Sequence, residues 1–371
     1  ETAFAGPAKL RDRLGRLDHA EIASYDADKM VDVFRISPSI HRFPGSMAGR
    51  VQALALPESV TVFDGVQPEP DTDNLALALK AAQGADPDLV IGFGGGSVMD
   101  LAKLVTVLRG AQGLSEIVGP NKVLARQNAL ALVPTTAGTG SEAGIRALVT
   151  DVATGMKVAV ESPYLLADMV AMDPALTMTL PAAVTAATGI DAMAHCVEAF
   201  TSRKAHPLID SYARMGIELV ARHLPRAVAD GSDAEARAGL LLAAYYGGIC
   251  LGPVNTAAGH ALAYPLGTRL KLPHGLANAI IFPHVLAFNA ASVPEKTATV
   301  GRLLGLTGDV RTAAYSWCER LGVKMRLRDH GASEGQLAGW AAEAHGIRRL
   351  MDNNPRDMSV AEVEAIYRAA F

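Results

Sequence analysis

Short apolar runs recur through the first half of the chain, at Val60–Phe63, Leu89–Phe93, Leu130–Val133 and Lys157–Val160. Stretches of helical character, such as Thr72–Gln83 and Val98–Leu108, lie between them. That alternation predicts buried strands joined by crossover helices, and so a parallel sheet with helices on its faces. After Leu180-Pro181 the texture changes to long Ala/Leu-rich stretches, Ala182–Phe200, Asp210–Leu224 and Ala234–Cys250. Pro181 suits a helix start, where a missing N–H costs nothing. We therefore expect an α/β domain over residues 1–180 and an all-α domain over 181–371, with a ligand cleft between them at the carboxyl ends of the strands.

Composition narrows the class. A chain of 371 residues has ample core for two domains or one large one. Half the residues are hydrophobic and 19% are charged, as in a compact enzyme. A net charge of −4 leaves no basic stripe, so nucleic acid is not an expected partner. Cys196, Cys250 and Cys318 are widely spaced and form no CxxC, which suits reduced thiols in the cytoplasm rather than a disulfide frame. No stretch approaches the roughly 20 apolar residues that span a bilayer, and ETAFAGPAKLRDRLGRLD holds no apolar leader. No membrane association is expected.

Four side chains suggest one divalent-metal site. Asp191 and His195, in GIDAMAHCVEAF, stand four residues apart and share one face of a helix. His260 and His274 stand fourteen apart in GHALAYPLGTRLKLPHG, where Pro265, Gly267, Pro273 and Gly275 argue against one continuous helix. We expect His260 near the end of one helix and His274 at the start of the next. Three imidazoles and a carboxylate suit Fe²⁺ or Zn²⁺. Asp-x3-His alone is common by chance, and no local signal brings the two segments together.

Two further segments bear on a nucleotide. Leu89–Phe93 runs into Gly94-Gly95-Gly96-Ser97 and then a helix start, an arrangement whose backbone N–H groups and helix dipole cradle phosphate. It is neither G-x-G-x-x-G nor a Walker loop, and a tight turn with no ligand explains it equally well. Leu130–Val133 precedes PTTAGTGSE, a donor-rich loop suited to phosphate or amide recognition, or an ordinary polar turn.

Taken together, the segments GGGSVMDLAK, PTTAGTGSEA, GIDAMAHCVEAF, GHALAYPLG and LPHGLANAIIFPHV, in this order, resemble the iron-containing (group III) alcohol dehydrogenase family. The resemblance spans roughly residues 60 to 371, with Lys157, Asp173-Pro174 and NNPRDMSVAEVEAIYRAAF also in place. It implies a dehydroquinate synthase-like fold: a nucleotide-binding α/β domain and a helical metal-binding and catalytic domain. It matches Asp191, His195, His260 and His274 to the metal ligands, and Gly94, Gly95, Gly96, Ser97 and Asp100 to the pyrophosphate site. Thr135, Thr136, Thr139 and Lys157 match positions that contact NAD or NADP. The implied activity is metal-dependent hydride transfer between the nicotinamide and a small alcohol, aldehyde, hydroxy acid or semialdehyde, by a homodimer.

Two departures matter. Where many members carry a second loop histidine, this chain has Tyr264, which is open to orienting substrate, relaying a proton or packing beside the site. That substitution also occurs in hydroxyacid–oxoacid transhydrogenases, which keep their cofactor; a dehydroquinate-synthase-type lyase is a more distant alternative. The second departure is Ser37, which takes the place of the aspartate of NAD-preferring members, with Arg35 and Arg42 nearby; NADP becomes admissible and the choice stays open. Arg146, Arg269 and Lys271 are candidates for a substrate anion, each weighed against a role as a solvated surface charge.

Overall fold

β-branched and aromatic residues between polar turns set the sheet. A computed structural model describes residues 32–35 and 61–371. In it, Asp32–Arg35 (β1), Val62–Phe63 (β2), Leu89–Gly94 (β3), Ala129–Pro134 (β5) and Met169–Val170 (β8) form one parallel sheet, ordered β2-β1-β3-β5-β8. The order reverses between β1 and β3, the switch point beside which doubly wound sheets bind their ligands. β3 and β5 are in register from Leu89↔Ala129 to Gly94↔Pro134, so the glycine turn and the threonine loop leave neighbouring strands at the same edge. Ser37 and Arg42 lie outside the described residues.

The strand expected at Lys157 is present but belongs elsewhere. Gly119–Pro120 (β4), Arg146–Thr150 (β6) and Lys157–Glu161 (β7) form a separate sheet ordered β4-β7-β6, with β6 and β7 antiparallel. The reason is local. Asp151 N donates to Met156 O and Gly155 N to Asp151 O, a tight turn that folds β7 back on β6 where a crossover would have been needed for parallel pairing.

Helices Thr72–Ala85 (α1) and Gly96–Leu108 (α2) accompany the parallel sheet. Asp71 caps α1 by accepting from Asn74 N at 2.8 Å. Every residue of α2 from Val98 to Leu108 except Asp100 is buried, which is the pattern of a helix covered all round. Val90, Leu101, Leu104, Leu130 and Leu132 form the heart of this unit's core.

The remainder is helical: Ala182–Thr201 (α3), Pro207–Ala229 (α4), Ala234–Leu251 (α5), Ala258–Leu270 (α6), His274–Ala290 (α7), Pro294–Leu304 (α8), Val310–Arg320 (α9), Glu334–Gly346 (α10) and Val360–Ala370 (α11). Its core includes Leu262, Leu266, Ile280, Trp340 and Tyr367, whose hydroxyl donates to Leu262 O at 2.6 Å. No helix among the described residues is long and apolar enough to cross a membrane. Contacts divide the described chain into two units: residues up to Thr135 with Ser141–Leu176, and Thr136–Gly140 with Thr177–Phe371.

One local expectation is corrected. His260 is the third residue of α6, near its start rather than its end. Pro265 and Gly267 do not end the helix, which runs on to Leu270 and stops at Lys271 in the left-handed conformation. A helix-interior proline costs about 3 kcal/mol or more. Burial of Leu262 and Leu266, at about 1.5–3 kcal/mol for each such side chain, offsets that.

Candidate active site

The helical unit brings the four expected ligands together. Asp191 and His195 project from one face of α3, His260 comes from the first turn of α6 and His274 opens α7. Single ligand atoms of Asp191, His195 and His260 all lie within 4.8 Å of one another. Asp191 Oδ1 is 3.5 Å from His260 Nε2, 3.7 Å from His274 Nε2 and 3.9 Å from His195 Nε2. Donors set tetrahedrally about 2.1 Å from one ion would stand about 3.4 Å apart, so the set fits a borderline divalent cation. Asp191, His195 and His260 are buried, whereas the His274 side chain is 28% exposed and marks the open side.

Two residues beyond the expected ligands complete the geometry. Glu198 Oε1 is 2.8 Å from His260 Nδ1, and Glu198 also accepts from Ala257 N. That bond fixes which imidazole nitrogen carries hydrogen and leaves Nε2 facing Asp191. Asn278 Nδ2 donates to Asp191 Oδ1 at 2.6 Å and lies 3.1 Å and 3.2 Å from Nε2 of His260 and His274. One carboxylate oxygen and two imidazole nitrogens thus converge on one amide nitrogen, as they would on a cation. Both residues carried a periodic signal: Glu198 follows Asp191 and His195 at i+7 and i+3, and Asn278 follows His274 at i+4.

Glycine permits these approaches. A Cβ on Gly259 would collide with Glu198 Oε1, and one on Gly275 with the carbonyl of Ala187 on α3. The charges are strongly coupled. Burial alone would raise the Asp191 carboxyl, but the imidazoles of His195, His274 and His260 hold it well below the usual carboxylate range. Burial, reinforced by the neighbouring imidazoles, pushes His195 down to about 3. Burial would lower His260 too, yet Glu198 and Asp191 on either side raise it, favouring a proton at Nε2 that a bound cation would displace.

Tyr264 lies one turn beyond His260 on α6, its ring 5.9 Å from that of His274. Its hydroxyl accepts from Arg349 Nη2 at 3.1 Å. Arg146 and Arg269 are engaged by Glu161 and Glu343, and Lys271 ends α6.

In the α/β unit, Gly94 closes β3, Gly95 precedes α2, and Gly96 and Ser97 form its first turn. Ser97 Oγ accepts from Glu69 N at 3.2 Å, and the Glu69 carboxylate pairs with Lys157. Thr135 follows β5; its hydroxyl is buried without a hydrogen-bond partner among the described residues. Thr136 and Thr139 lie in the short stretch that packs with the helical unit. Asp100, in α2, accepts through its carboxylate from Ser141 Oγ at 2.5 Å and Leu148 N at 3.0 Å. Beside it, Lys103 Nζ donates to Ser141 Oγ and to the carbonyls of Ser141, Gly144 and Arg146.

Comparison with known proteins gives this geometry a family. The model of the iron-containing alcohol dehydrogenases matches residues 41–174, and that of the C-terminal part of the Fe-containing alcohol dehydrogenase family matches residues 185–371. The long-chain-alcohol dehydrogenase 1 of Geobacillus thermodenitrificans is 37% identical over 84% of this chain and 82% of its own. The 1,3-propanediol dehydrogenase of Klebsiella pneumoniae is 35% identical over 84% of this chain and 83% of its own. Among solved structures, a 1,3-propanediol oxidoreductase superposes with a TM-score of 0.85 at 30% identity, over 99% of this chain and 97% of its own. The sulfoacetaldehyde reductase of Bifidobacterium kashiwanohense, in complex with NAD+, gives 0.82 at 25% identity, over 95% of this chain and 93% of its own. The chain belongs to the iron-containing alcohol dehydrogenase family.

Proposed function

We propose that this protein is a metal-dependent, nicotinamide-linked oxidoreductase that interconverts a small alcohol and its aldehyde or ketone. The observation that carries the reading is the convergence of Asp191, His195, His260 and His274 on one point, where they would hold Fe²⁺ or Zn²⁺. A divalent ion bound there supplies Lewis acidity to a substrate oxygen, and the nicotinamide supplies the redox chemistry.

The remaining work falls to the chain's own groups. Asp191 contributes the one negative charge of the ligand set, which its depressed carboxyl keeps ionised across the working pH range. Glu198 orients His260 through Nδ1, and Asn278 of α7 steadies Asp191. The turn Gly94–Ser97, at the N-terminus of α2, offers backbone N–H groups to a dinucleotide pyrophosphate. Lys157, held beside that turn by Glu69, offers N–H donors, and Thr135 offers a buried hydroxyl. Asp100 serves the same site indirectly, by holding Ser141 and Leu148. Tyr264, beside His274, orients the substrate.

The test is nicotinamide absorbance on protein loaded with Fe²⁺ or Zn²⁺, against short alcohols and aldehydes, with NAD(H) and NADP(H) in parallel. Metal-dependent absorbance change is expected with at least one pair. Turnover that needs an oxoacid but no added nucleotide would replace the dehydrogenase by a transhydrogenase.

A further inference from the structure

Arg349 differs from its arginine neighbours. Arg348 pairs with Asp352, Arg356 with Glu362 and Arg269 with Glu343, whereas Arg349 has no carboxylate partner among the described residues. Its partner is a neutral phenol: Nη2 donates to Tyr264 Oη at 3.1 Å, and Cζ stands 5.6 Å from the Tyr264 ring centroid. The same ring lies 5.9 Å from that of His274, on the open side of the ligand set.

The backbone behind this side chain is fixed. Asn353 Nδ2 donates to Arg349 O at 3.0 Å and to Thr256 O at 2.8 Å, and Asn353 is fully buried. Asn354, also fully buried, exchanges amide hydrogen bonds with Asn289 of α7. An anchored main chain thus carries an exposed guanidinium that leans on Tyr264. A guanidinium has five N–H donors in a planar fork, and the tyrosine hydroxyl engages one nitrogen of it. The rest of the fork matches the two oxygens of a carboxylate.

We propose that Arg349, steadied by Tyr264, is a specificity residue that binds an ionised carboxylate at the far end of a short substrate. The preferred substrates are then aldehydes and alcohols of a few carbons with an acid group at the other terminus. This rests on the dehydrogenase reading above, because it presupposes that the reacting oxygen is held at the metal ligands. The Tyr264 phenol has a matching part: it holds the fork in place without neutralising it, as an aspartate or glutamate would.

The experiment compares succinic semialdehyde with butanal, a neutral aldehyde of equal carbon count, using metal-loaded wild type and Arg349→Gln. Wild type should favour the semialdehyde. Arg349→Gln should lose about 10- to 100-fold in kcat/KM for it, mainly through KM, as expected for one charge-assisted interaction. Its kcat/KM for butanal should stay within about twofold, which also shows that the variant is folded and loaded. Arg349→Lys should recover part of the loss, because it restores charge but not the fork. Equal losses on both substrates, no loss on either, or a wild type that reduces butanal but not the semialdehyde would overturn the inference and leave the dehydrogenase reading standing. Turnover of neither aldehyde by metal-loaded wild type with either nucleotide would overturn both.

Discussion

Glu198 and Asn278 show what single residues add to the proposed ligand set. Without the bond from Glu198, the His260 ring is free to present either nitrogen to the site, and Ala257 N loses a buried acceptor. Glu198→Gln should weaken Fe²⁺ or Zn²⁺ binding about 10- to 100-fold, the usual effect of removing the outer partner of a metal-binding histidine. Competition against a chromophoric chelator measures this directly, and unchanged affinity would show that Glu198 does not orient His260. Asp191 and His195 were legible as a pair from their four-residue spacing; Glu198 shares their helical face, but the sequence assigned it no role. Asn278 is another matter. An asparagine at i+4 from a histidine is unremarkable until α3, α6 and α7 are seen to meet, and that meeting depends on close approaches at Gly259 and Gly275.

At the scale of elements, α2 and α7 each carry a buried ionisable group whose removal has a stated outcome. Lys103, fully buried in α2, holds the segment from Ser141 to Arg146 by four hydrogen bonds beside Asp100. Lys103→Met would leave three carbonyls and a carboxylate without their cation. We expect a loss of about 3 kcal/mol or more of stability, since each buried acceptor left unpaired costs about 1–3 kcal/mol. Urea denaturation reads it, and a loss below about 1 kcal/mol would show that water takes over the lysine's contacts.

His284 of α7 behaves in the opposite sense. It is 6% exposed, neither ring nitrogen has a hydrogen-bond partner among the described residues, and its ring meets Tyr315 of α9 edge-on. Burial, and secondarily Arg311, lowers it to about 4. The unfolded chain, titrating near 6.5, therefore takes up this proton first. Stability from His284 is complete above about pH 6.5 and falls away towards pH 4, by roughly 3 kcal/mol in all. His284→Phe should flatten this part of the stability–pH curve. An unchanged curve would place the acid sensitivity in other groups.

For the whole molecule, the fold class was open to a reading of pattern. Strand-length apolar runs separated by helices gave way at Pro181 to long helical stretches, and the two textures correspond to a parallel sheet and a set of helices. Pairing was less accessible. Nothing within Lys157–Val160 distinguishes a strand of the parallel sheet from one folded back on β6, because the Asp151–Met156 turn decides that. The helix break near His260 was misjudged for a related reason: Pro265 marks a weak point, but buried packing of α6 settles whether the helix continues. Tyr264 and Arg349 are 85 residues apart, and no local pattern joins them.

The central claim is that the four converging side chains hold the ion on which turnover depends. Its most direct test is metal analysis with nicotinamide turnover and nucleotide binding on His260→Ala beside the unaltered protein. The account predicts stoichiometric metal and turnover for the unaltered protein, and for the variant lost metal, almost no turnover and retained nucleotide binding. Stoichiometric metal with surviving turnover in His260→Ala would contradict it.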